Sequence, residues 1–424
     1  MTMKKIALIL LCACSLYSQN TFETFFYDRA LRLDYQRAGN AEKQDVFLDE
    51  LIDEPLWGGP KANLIETSLY GKYRVEIIDS ATGKIIFAKN YSTLFSEWQT
   101  TAEAKITPRS FPEVVTFPYP RNKFIINFYS RDKRNDIHLT QKFTIDPNSY
   151  FIKKDRRLVF DNFKVQYSGD SQHKVDIVIL PEGYTESEME LFKKDCEKFK
   201  NYLFNSSPFK ENKDKFNIWG VAAPSPDTGT DIPGKGVYKK TLMNTSFYTF
   251  DIERYCMTTD YKSVRDLAAN APYDQIYILV NTPKYGGGSI YNFYSICVNN
   301  SKFEEYIFVH EFGHGFASLA DEYYESATAY QDFYAKDVEP SDPNLTTLVD
   351  FDKKWKDLVE KDTPIPTPME AKYKNTVGAF EGGGYVDKGI YRPRQDCAMK
   401  SKSVDNFCPV CKRAIEQMID YYAR

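Results

Sequence analysis

The residues whose types and spacing could do chemistry are His310-Glu-Phe-Gly-His314, an H-E-x-x-H pattern. On a helix, side chains at positions i and i+4 project from the same face, so both imidazoles can reach one metal ion. Glu311 would lie beside the open side of that ion, where its carboxylate can take a proton from bound water. Zinc accepts neutral imidazoles and carboxylates in a tetrahedral site. The pattern therefore predicts one catalytic zinc ion, with His310 and His314 as ligands and Glu311 as general base.

The surroundings of the pattern favour a metal site over two unrelated histidines on an amphipathic helix. The chain has only four histidines, and two of them are here. The flanking segments Ile307–Val309 and Gly315–Ala317 are apolar and uncharged, so the helix should be buried. A buried histidine pair without a partner is costly to protonate, and metal coordination explains the pair better.

The third ligand is less directly specified. On an unbroken helix Asp321 would share the histidine face but would lie about 10 Å farther along the axis than His314, at about 1.5 Å per residue. Asp321 can therefore be a ligand only if the helix ends soon after His314 and the chain turns back, which Gly315 would permit. Glu322, or a later glutamate such as Glu325, is the alternative. Asp321 and Glu322 could also simply cap the next segment.

A helix and a neighbouring strand would have to position these side chains. Ser301-x-x-Glu304 has the form of a capping box, so we expect the helix to open there and to run through His310 and His314. Ile290–Asn299 is predicted to be a strand. At a sheet edge it could pair with the extended main chain of a peptide, and the alternative is ordinary core β-structure.

The chain after about residue 165 is predicted to be α/β. Thr185-x-x-Glu188 is a second capping box, followed by apolar residues at helical spacing. Pro409 lies near the start of a closing helix. The apolar runs expected to form buried strands are Val175–Leu180, Phe216–Ala223 and Ile276–Val280.

Residues from about 22 to 150 are predicted to be all-β. Tyr73–Ile78 and Lys84–Lys89 flank the turn Asp79–Gly83, in which glycine accepts a positive φ at low cost, so we expect a hairpin. Several short strands without intervening helices favour a β-sandwich. No motif with chemistry falls in this part, which favours a structural or substrate-presenting module.

The first residues have the form of a secretory signal. Two lysines precede the apolar run Ile6–Ala13, which is shorter than the roughly 20 residues that span a bilayer. Cys14 lies in a sequence similar to a bacterial lipobox and would carry a lipid anchor, whereas cleavage near Ser18 is the rival. We therefore expect a protein exported from a bacterial cell as a secreted, periplasmic or cell-surface lipoprotein, without a transmembrane segment.

Length and composition place limits on the fold and on the partners. The chain of 424 residues is long enough for two domains, and we expect a signal peptide at 1–20, a β-sandwich domain at 21–160 and an α/β domain at 165–424. A net charge of −4 excludes the basic footprint of a nucleic-acid binder. The run Gly286–Ser289 lacks the rest of a phosphate-binding loop, so we expect no nucleotide.

Six cysteines remain after the predicted signal. Three of them, Cys397, Cys408 and Cys411, have a C-x10-C-x2-C spacing that would suit three ligands of a structural zinc site. No fourth cysteine or histidine lies nearby in the sequence, and an exported chain permits disulfides, so a disulfide is the favoured interpretation.

The segment from His310 to Tyr323, HEFGHGFASLADEY, resembles the signature of the M64 metallopeptidases. Tyr391–Met399 resembles that family's methionine-containing turn, and Phe407–Cys411 its cysteine-rich close. The likeness covers roughly residues 165–424, and the front of the chain is similar to the domain that often precedes the peptidase in bacterial members.

The resemblance implies a metzincin-like zinc peptidase fold with a methionine turn beneath the metal. It implies that His310, His314 and Asp321 are zinc ligands, that Glu311 is the catalytic base and that Met399 is the floor of the site. Some metzincins have a tyrosine two residues after that methionine, but this chain has Ser401. The tyrosine that would stabilise the oxyanion stays open between Tyr323 and Tyr391.

We therefore expect an exported zinc endopeptidase acting on a protein or peptide substrate through a metal-activated water. The alternative is a non-catalytic, metal-containing binding module for host glycan or protein. The intact Glu311 argues against that alternative, because a protein that no longer cuts would be free to lose its base. The resemblance does not identify the substrate, since specificity depends on loops such as Glu325–Tyr391.

Overall fold

The computed structural model describes residues 21–324, 334–402 and 406–424. The predicted signal peptide, with Cys14 and Ser18, and the alternative ligand Glu325 lie outside the described residues. Of the helices in the described part of the chain, none combines the length and the apolar composition that crossing a membrane requires.

The front part of the chain is β-rich, as predicted. A three-stranded antiparallel sheet has the order β2-β1-β5, and a four-stranded antiparallel sheet has the order β4-β3-β6-β7. Two short helices, which the sequence pattern did not predict, accompany them. The elements are α1 (Thr21–Phe25), β1 (Phe26–Gly39), β2 (Gln44–Glu54), β3 (Tyr73–Asp79), β4 (Ile85–Tyr91), α2 (Leu94–Trp98), β5 (Arg109–Pro120), β6 (Phe124–Arg131) and β7 (Ile137–Ile145).

The two front sheets share one hydrophobic core. Leu33 of β1, Val75 of β3 and Ile126 of β6 are buried in the same interior, and buried residues alternate strictly along β3. The predicted hairpin is formed by β3 and β4, which pair in antiparallel register, and Gly83 in their turn has a φ of 68°. Glycine is suited to this position because a side chain would be strained there.

The rest of the chain is α/β and is built on a six-stranded mixed sheet with the order β12-β13-β11-β9-β10-β8. The inner strands β9, β10, β11 and β13 run parallel, whereas β8 and β12 are antiparallel edge strands. The elements are β8 (Asn162–Gln166), β9 (Val175–Glu182), α3 (Met189–Asn205), β10 (Phe216–Val221), α4 (Tyr261–Ala268), β11 (Gln275–Val280), β12 (Gly287–Ile290), β13 (Tyr294–Val298), α5 (Glu304–Ala317), β14 (Phe380–Gly383), β15 (Val386–Arg392) and α6 (Pro409–Tyr422).

Both faces of this sheet are covered. Helices α3, α5 and α6 pack on one face. The other face is covered by α4 together with α2 and β5 from the front part, which bury Phe95 and Trp98 there. A buried ion pair crosses the same boundary, because Arg32 of β1 donates to Asp34 and to Asp266 of α4. The front part of the chain therefore covers part of one face of the six-stranded sheet.

The segment predicted as one strand, Ile290–Asn299, contains the last residue of one strand, a turn and the whole of the next strand. Its first part belongs to the edge strand β12, and the chain turns at Asn292, where φ is 57°, before β13 enters the interior of the sheet. The predicted edge position is therefore wrong for β13 and applies to β12. The capping box predicted at Ser301 is also absent, since α5 has no side-chain cap hydrogen bond, whereas the Thr185–Glu188 box is formed.

The six cysteines in the described residues are buried and free. The prediction of a disulfide among Cys397, Cys408 and Cys411 is therefore wrong. Their surroundings also differ from the prediction, because Glu322 lies next to them although it is far away in the sequence.

Candidate metal centre

Helix α5 carries the H-E-x-x-H pattern, and its neighbours explain why the segment is helical and buried. Phe308, Phe312 and Phe316 recur every four residues and pack into the core beneath the sheet. Gly313 lies between the histidines, on the side of α5 that faces Met399. A Cβ at Gly313 would lie 3.0 Å from Met399 Sδ, so the absence of a side chain lets the helix rest on that turn.

The chain turns back immediately after the helix. Ser318 adopts a left-handed conformation with a φ of 52°, and its N–H closes the last helical turn onto the carbonyl of His314. His314 Nδ1 donates to the carbonyl of Leu319 in the same turn. Asp321 is thereby returned to the histidines, as ligation required, although the reversal occurs at Ser318 and not at Gly315.

Three potential ligand atoms form a nearly equilateral triangle. His310 Nε2 and His314 Nε2 lie 3.1 Å apart, and Asp321 Oδ1 is 3.1 Å from the first and 3.3 Å from the second. Two ligands of a tetrahedral zinc ion, each bound at about 2.0–2.1 Å, are separated by about 3.3 Å. The donor set and its spacing therefore fit zinc.

The partners of the outer atoms orient this triangle. His310 Nδ1 donates to the carbonyl of Ala398 at 3.0 Å, and His314 Nδ1 donates to Leu319, so each Nε2 lone pair is directed at Asp321. Two nitrogen lone pairs facing a carboxylate oxygen repel it unless a cation or a proton lies between them. Asp321 Oδ1 is buried and faces the two Nε2 atoms, without a hydrogen bond from any other described residue. A metal ion would satisfy it.

The other oxygen of Asp321 is held by two tyrosines. The hydroxyl of Tyr323 donates to Oδ2 at 2.7 Å, and that of Tyr385 donates at 2.6 Å. Tyr385 was not singled out by the sequence, because it lies in a long stretch without periodicity, 62 residues beyond Tyr323. These hydrogen bonds fix the carboxylate and leave Oδ1 directed at the histidines.

The charges of the site shift its pKa values in opposite directions. Burial disfavours the protonated form of His314, but the charge of Asp321 outweighs it and raises the pKa of His314 to about 9. Burial favours the neutral acid at Asp321, yet the two imidazoles hold the pKa of that carboxyl well below its usual range. Burial raises the pKa of Glu311 against the opposing effect of both histidines. A carboxylate with a raised pKa is a better proton acceptor near neutral pH.

The triangle opens into a large cleft of about 2120 Å³. Its walls come from both parts of the chain, with Lys72, Arg131 and His138 on the front side. Glu311 lines the cleft beside His310 and His314. Basic and acidic side chains both line the cleft, so its charge alone does not select a strongly charged substrate.

Edge strand β12 runs along the same cleft. At Gly287 the outer edge is already paired, because its N–H donates to the carbonyl of Arg254 and its carbonyl accepts from the N–H of Cys256. Since outward-facing residues alternate along an edge strand, the main chain of Ser289 also faces outward. A Cβ at Gly287 would lie 2.7 Å from the carbonyl oxygen of Ile296, so a glycine allows the strand to lie this close to its neighbour.

The remaining candidates from the sequence lie as follows. Met399 is fully buried beneath α5, and its carbonyl accepts from the N–H of Glu322 at 2.8 Å. Tyr323 lines the cleft, whereas Tyr391 lies on β15 outside the lining of the cleft. Glu322 points away from the histidines, so it is not the third member of their triangle.

Comparison with protein families gives two matches. The family model described as IgA Peptidase M64 matches residues 163–375 and 369–419, which is more than half of the chain. The model described as Peptidase M64 N-terminus matches residues 21–143. A search of curated proteins found no match.

Proposed function

The chain belongs to the M64 peptidase family, and from this membership we propose that it is an exported, zinc-dependent endopeptidase with a metzincin-like catalytic domain. We further propose that His310, His314 and Asp321 hold the zinc ion and that Glu311 is the general base. The observation that carries this proposal is the triangle of Nε2, Nε2 and Oδ1 atoms, with Glu311 beside it on the wall of an open cleft.

A zinc ion held by the three side chains would supply Lewis acidity, polarising a scissile carbonyl and making a water molecule easier to deprotonate. Glu311 then accepts a proton from that water and later delivers one to the departing amine. Asp321 keeps its position through Tyr323 and Tyr385. The chain's own residues thus provide a base, an acid and a fixed anionic ligand.

The cleft supports cleavage within a peptide chain. Its volume of about 2120 Å³ gives room for several substrate residues beside Glu311, and the outward main chain of Ser289 offers hydrogen bonds to an extended peptide. Backbone pairing of this kind binds many sequences. The side chains that line the cleft would then determine which peptides bind well.

The domain limits and the localisation belong to the same proposal. We propose that residues 1–20 direct export from a bacterial cell, that 21–160 form a β-sandwich domain and that 165–424 form the catalytic domain. The basic and apolar pattern of the first residues supports export. A mass measurement of the mature N-terminus after secretion would test it, and retention of the first residues in the secreted protein would contradict it.

The proposed activity is tested by incubating the purified protein with denatured casein and with a peptide library, with and without a metal chelator. We expect internal cleavage that the chelator abolishes and that added zinc restores. A matched sample of Glu311→Gln should bind peptides without cutting them. Peptide binding without cleavage by the unaltered protein would instead support a non-catalytic binding module.

A further inference from the structure

Four buried side chains form a second cluster on the opposite side of the Asp321–Glu322 segment from the histidines. They are Glu322, Cys397, Cys408 and Cys411, and each is at most 1% exposed. Their ligand atoms all lie within 4.8 Å of one another. Three parts of the chain meet here, because Glu322 follows the turn after α5, Cys397 lies in the methionine-containing turn, and the last two cysteines lie at the start of α6.

The sulfur spacing in this cluster is too long for a disulfide and suits a shared ion. Cys411 Sγ lies 3.5 Å from Cys408 Sγ and 3.9 Å from Cys397 Sγ. A disulfide requires about 2.05 Å. Two thiolates bound to one tetrahedral zinc ion, each at about 2.3 Å, lie about 3.8 Å apart. The distance of 3.3 Å from Cys411 Sγ to Glu322 Oε1 is close to the roughly 3.5 Å expected for a thiolate and a carboxylate oxygen on the same ion.

The polar atoms around the cluster also point to a cation. Glu322 Oε1 accepts from Asn344 Nδ2 at 3.0 Å, but Oε2 is buried and has no hydrogen-bond partner among the described residues. The N–H of Cys408 donates to Cys397 Sγ at 3.2 Å, as expected for a sulfur that carries negative charge. A carboxylate and several sulfurs sharing a dry interior are stable together only with a compensating charge or as neutral, protonated groups.

We propose that Glu322, Cys397, Cys408 and Cys411 bind a second zinc ion with a structural role. Thiolates prefer borderline and soft ions such as zinc, and a four-ligand set with no solvent-exposed side leaves no open position for substrate. The fourth ligand comes from a position 75 residues before Cys397, which explains why the local cysteine spacing looks incomplete. The Cys408-x-x-Cys411 pair supplies two ligands from the start of one helix, with Cys408 as the N-cap residue of α6 and Cys411 in its first turn.

This second ion would position the first site. Glu322 is bonded to Asp321 in the chain, so holding the Glu322 carboxylate fixes the backbone that presents Asp321 to the histidines. Cys397 directly precedes Ala398, whose carbonyl orients His310. The structural ion would thus fix the positions of Asp321 and of the Ala398 carbonyl that accepts a hydrogen bond from His310.

The first experiment counts zinc in a variant that leaves the cluster untouched. The full-length chain after gel filtration should hold about two zinc ions, and His310→Ala/His314→Ala should hold about one, which a mild chelator does not remove. A folded double variant that carries no zinc would overturn the proposal. If the unaltered chain and the double variant each hold one zinc ion, the histidine site binds no zinc, and only the proposed peptidase function fails. Failure of the second site and failure of the proposed function are therefore distinguishable.

The second experiment replaces zinc by cobalt and uses a matched cysteine control. Cobalt bound to thiolates gives a sulfur-to-metal charge-transfer band in the near ultraviolet, and we expect it in the His310→Ala/His314→Ala protein. Cys411→Ser should weaken the band and lower the zinc content by about one ion, whereas Cys196→Ala, at a buried cysteine of α3, should change neither. If Cys411→Ser does not fold, the intact mass of the unaltered protein decides. A mass lower by two hydrogens per disulfide, or three reduced thiols without metal, would refute the second site.

Discussion

Asp321 and Glu322 are adjacent in the chain, yet their carboxylates face different clusters. Asp321 Oδ1 lies 3.1 Å from His310 Nε2, and Glu322 Oε1 lies 3.3 Å from Cys411 Sγ. The segment after Ser318 is non-helical, and consecutive side chains of an extended segment point to opposite sides. One short stretch of backbone thus joins the cleft to the interior behind it.

Glu311→Gln should reduce kcat/KM by at least about 10³-fold while leaving the zinc content unchanged. The reason is that Glu311 lines the cleft without belonging to the triangle of ligand atoms. Peptide hydrolysis and elemental analysis of the same sample provide the measurement. Glu305→Gln, at an exposed position on the first turn of the same helix, is the control and should stay fully active. Substantial turnover by Glu311→Gln would contradict a role of Glu311 as general base.

Tyr385→Phe should weaken zinc binding by about 10-fold, because the variant loses one of the two hydroxyls that orient Asp321. Competition with a zinc chelator of known affinity measures the change. Tyr391→Phe is the matched control, since that tyrosine lies on β15 away from the cleft. Equal zinc affinities of the two variants would contradict an orienting role for Tyr385.

Zinc binding to the metal-free protein should strengthen as the pH rises from about 6.5 toward 9. The pKa of His314 is raised to about 9 by Asp321 against the effect of burial, so at neutral pH the ion must displace a proton from this pair. The apparent affinity should rise by up to about tenfold per pH unit and level off above about pH 9. Calorimetric titrations in buffers with different ionisation enthalpies count the released proton. A pH-independent affinity between pH 7 and 8 would exclude this competition.

The same raised pKa makes a prediction for stability without metal. A group whose pKa is higher in the folded state stabilises the fold at low pH and loses that effect as the pH rises through its folded value. The His314–Asp321 pair should therefore stabilise the metal-free protein most at about pH 5–6.5, lose its contribution as the pH rises toward about 9, and lose it also in acid, where Asp321 takes up a proton. Urea unfolding of chelated protein across this range, compared with Asp321→Asn, measures the difference. Parallel pH profiles of the two proteins would show that the pair contributes nothing.

Arg32→Ala should lower the free energy of unfolding by about 3–5 kcal/mol, because it leaves buried carboxylates without their cation. Arg32 is fully buried and donates to Asp34 at 2.6 Å and to Asp266 of α4. Arg29 lies on the same strand as Arg32 and forms a partly exposed ion pair with Asp53 of β2. Arg29→Ala should therefore lower the free energy of unfolding by less than about 1 kcal/mol. Equal effects in urea unfolding would mean that the buried pair does not join the front strand to α4.

The helix with its two histidines could be predicted because the i and i+4 spacing is a local property. The alternatives for the third member could be named but not decided, because the answer depends on the reversal at Ser318. That reversal places a serine in a left-handed conformation, for which the residue type gives little signal. Tyr385 and Glu322 could not be assigned, since their partners come from distant segments and are brought together only by tertiary packing.

The β-rich front and the α/β remainder were predictable from alternation and from apolar runs, and the two predicted hairpin strands, Tyr73–Ile78 and Lys84–Lys89, coincide closely with β3 and β4. The hairpin of β12 and β13 was missed because its first arm, Gly287–Ile290, is rich in glycine, and only its last residue belongs to the apolar run Ile290–Asn299. Asn292 in the left-handed conformation was the available signal, since asparagine tolerates that conformation better than most residues. The absence of a glycine at this turn made the signal weak.

Helix α6 lies beneath α5 and contributes the last members of the sulfur cluster. Ribosomes make a chain from its N-terminus, so α5 with its two histidines leaves the ribosome long before the segment that supports it. Until Cys411 has left the ribosome, Glu322, the residue after Asp321, lacks the side chain that it contacts in the folded protein. We therefore expect the proposed active centre to be completed only when this last helix docks, after synthesis of the chain has ended.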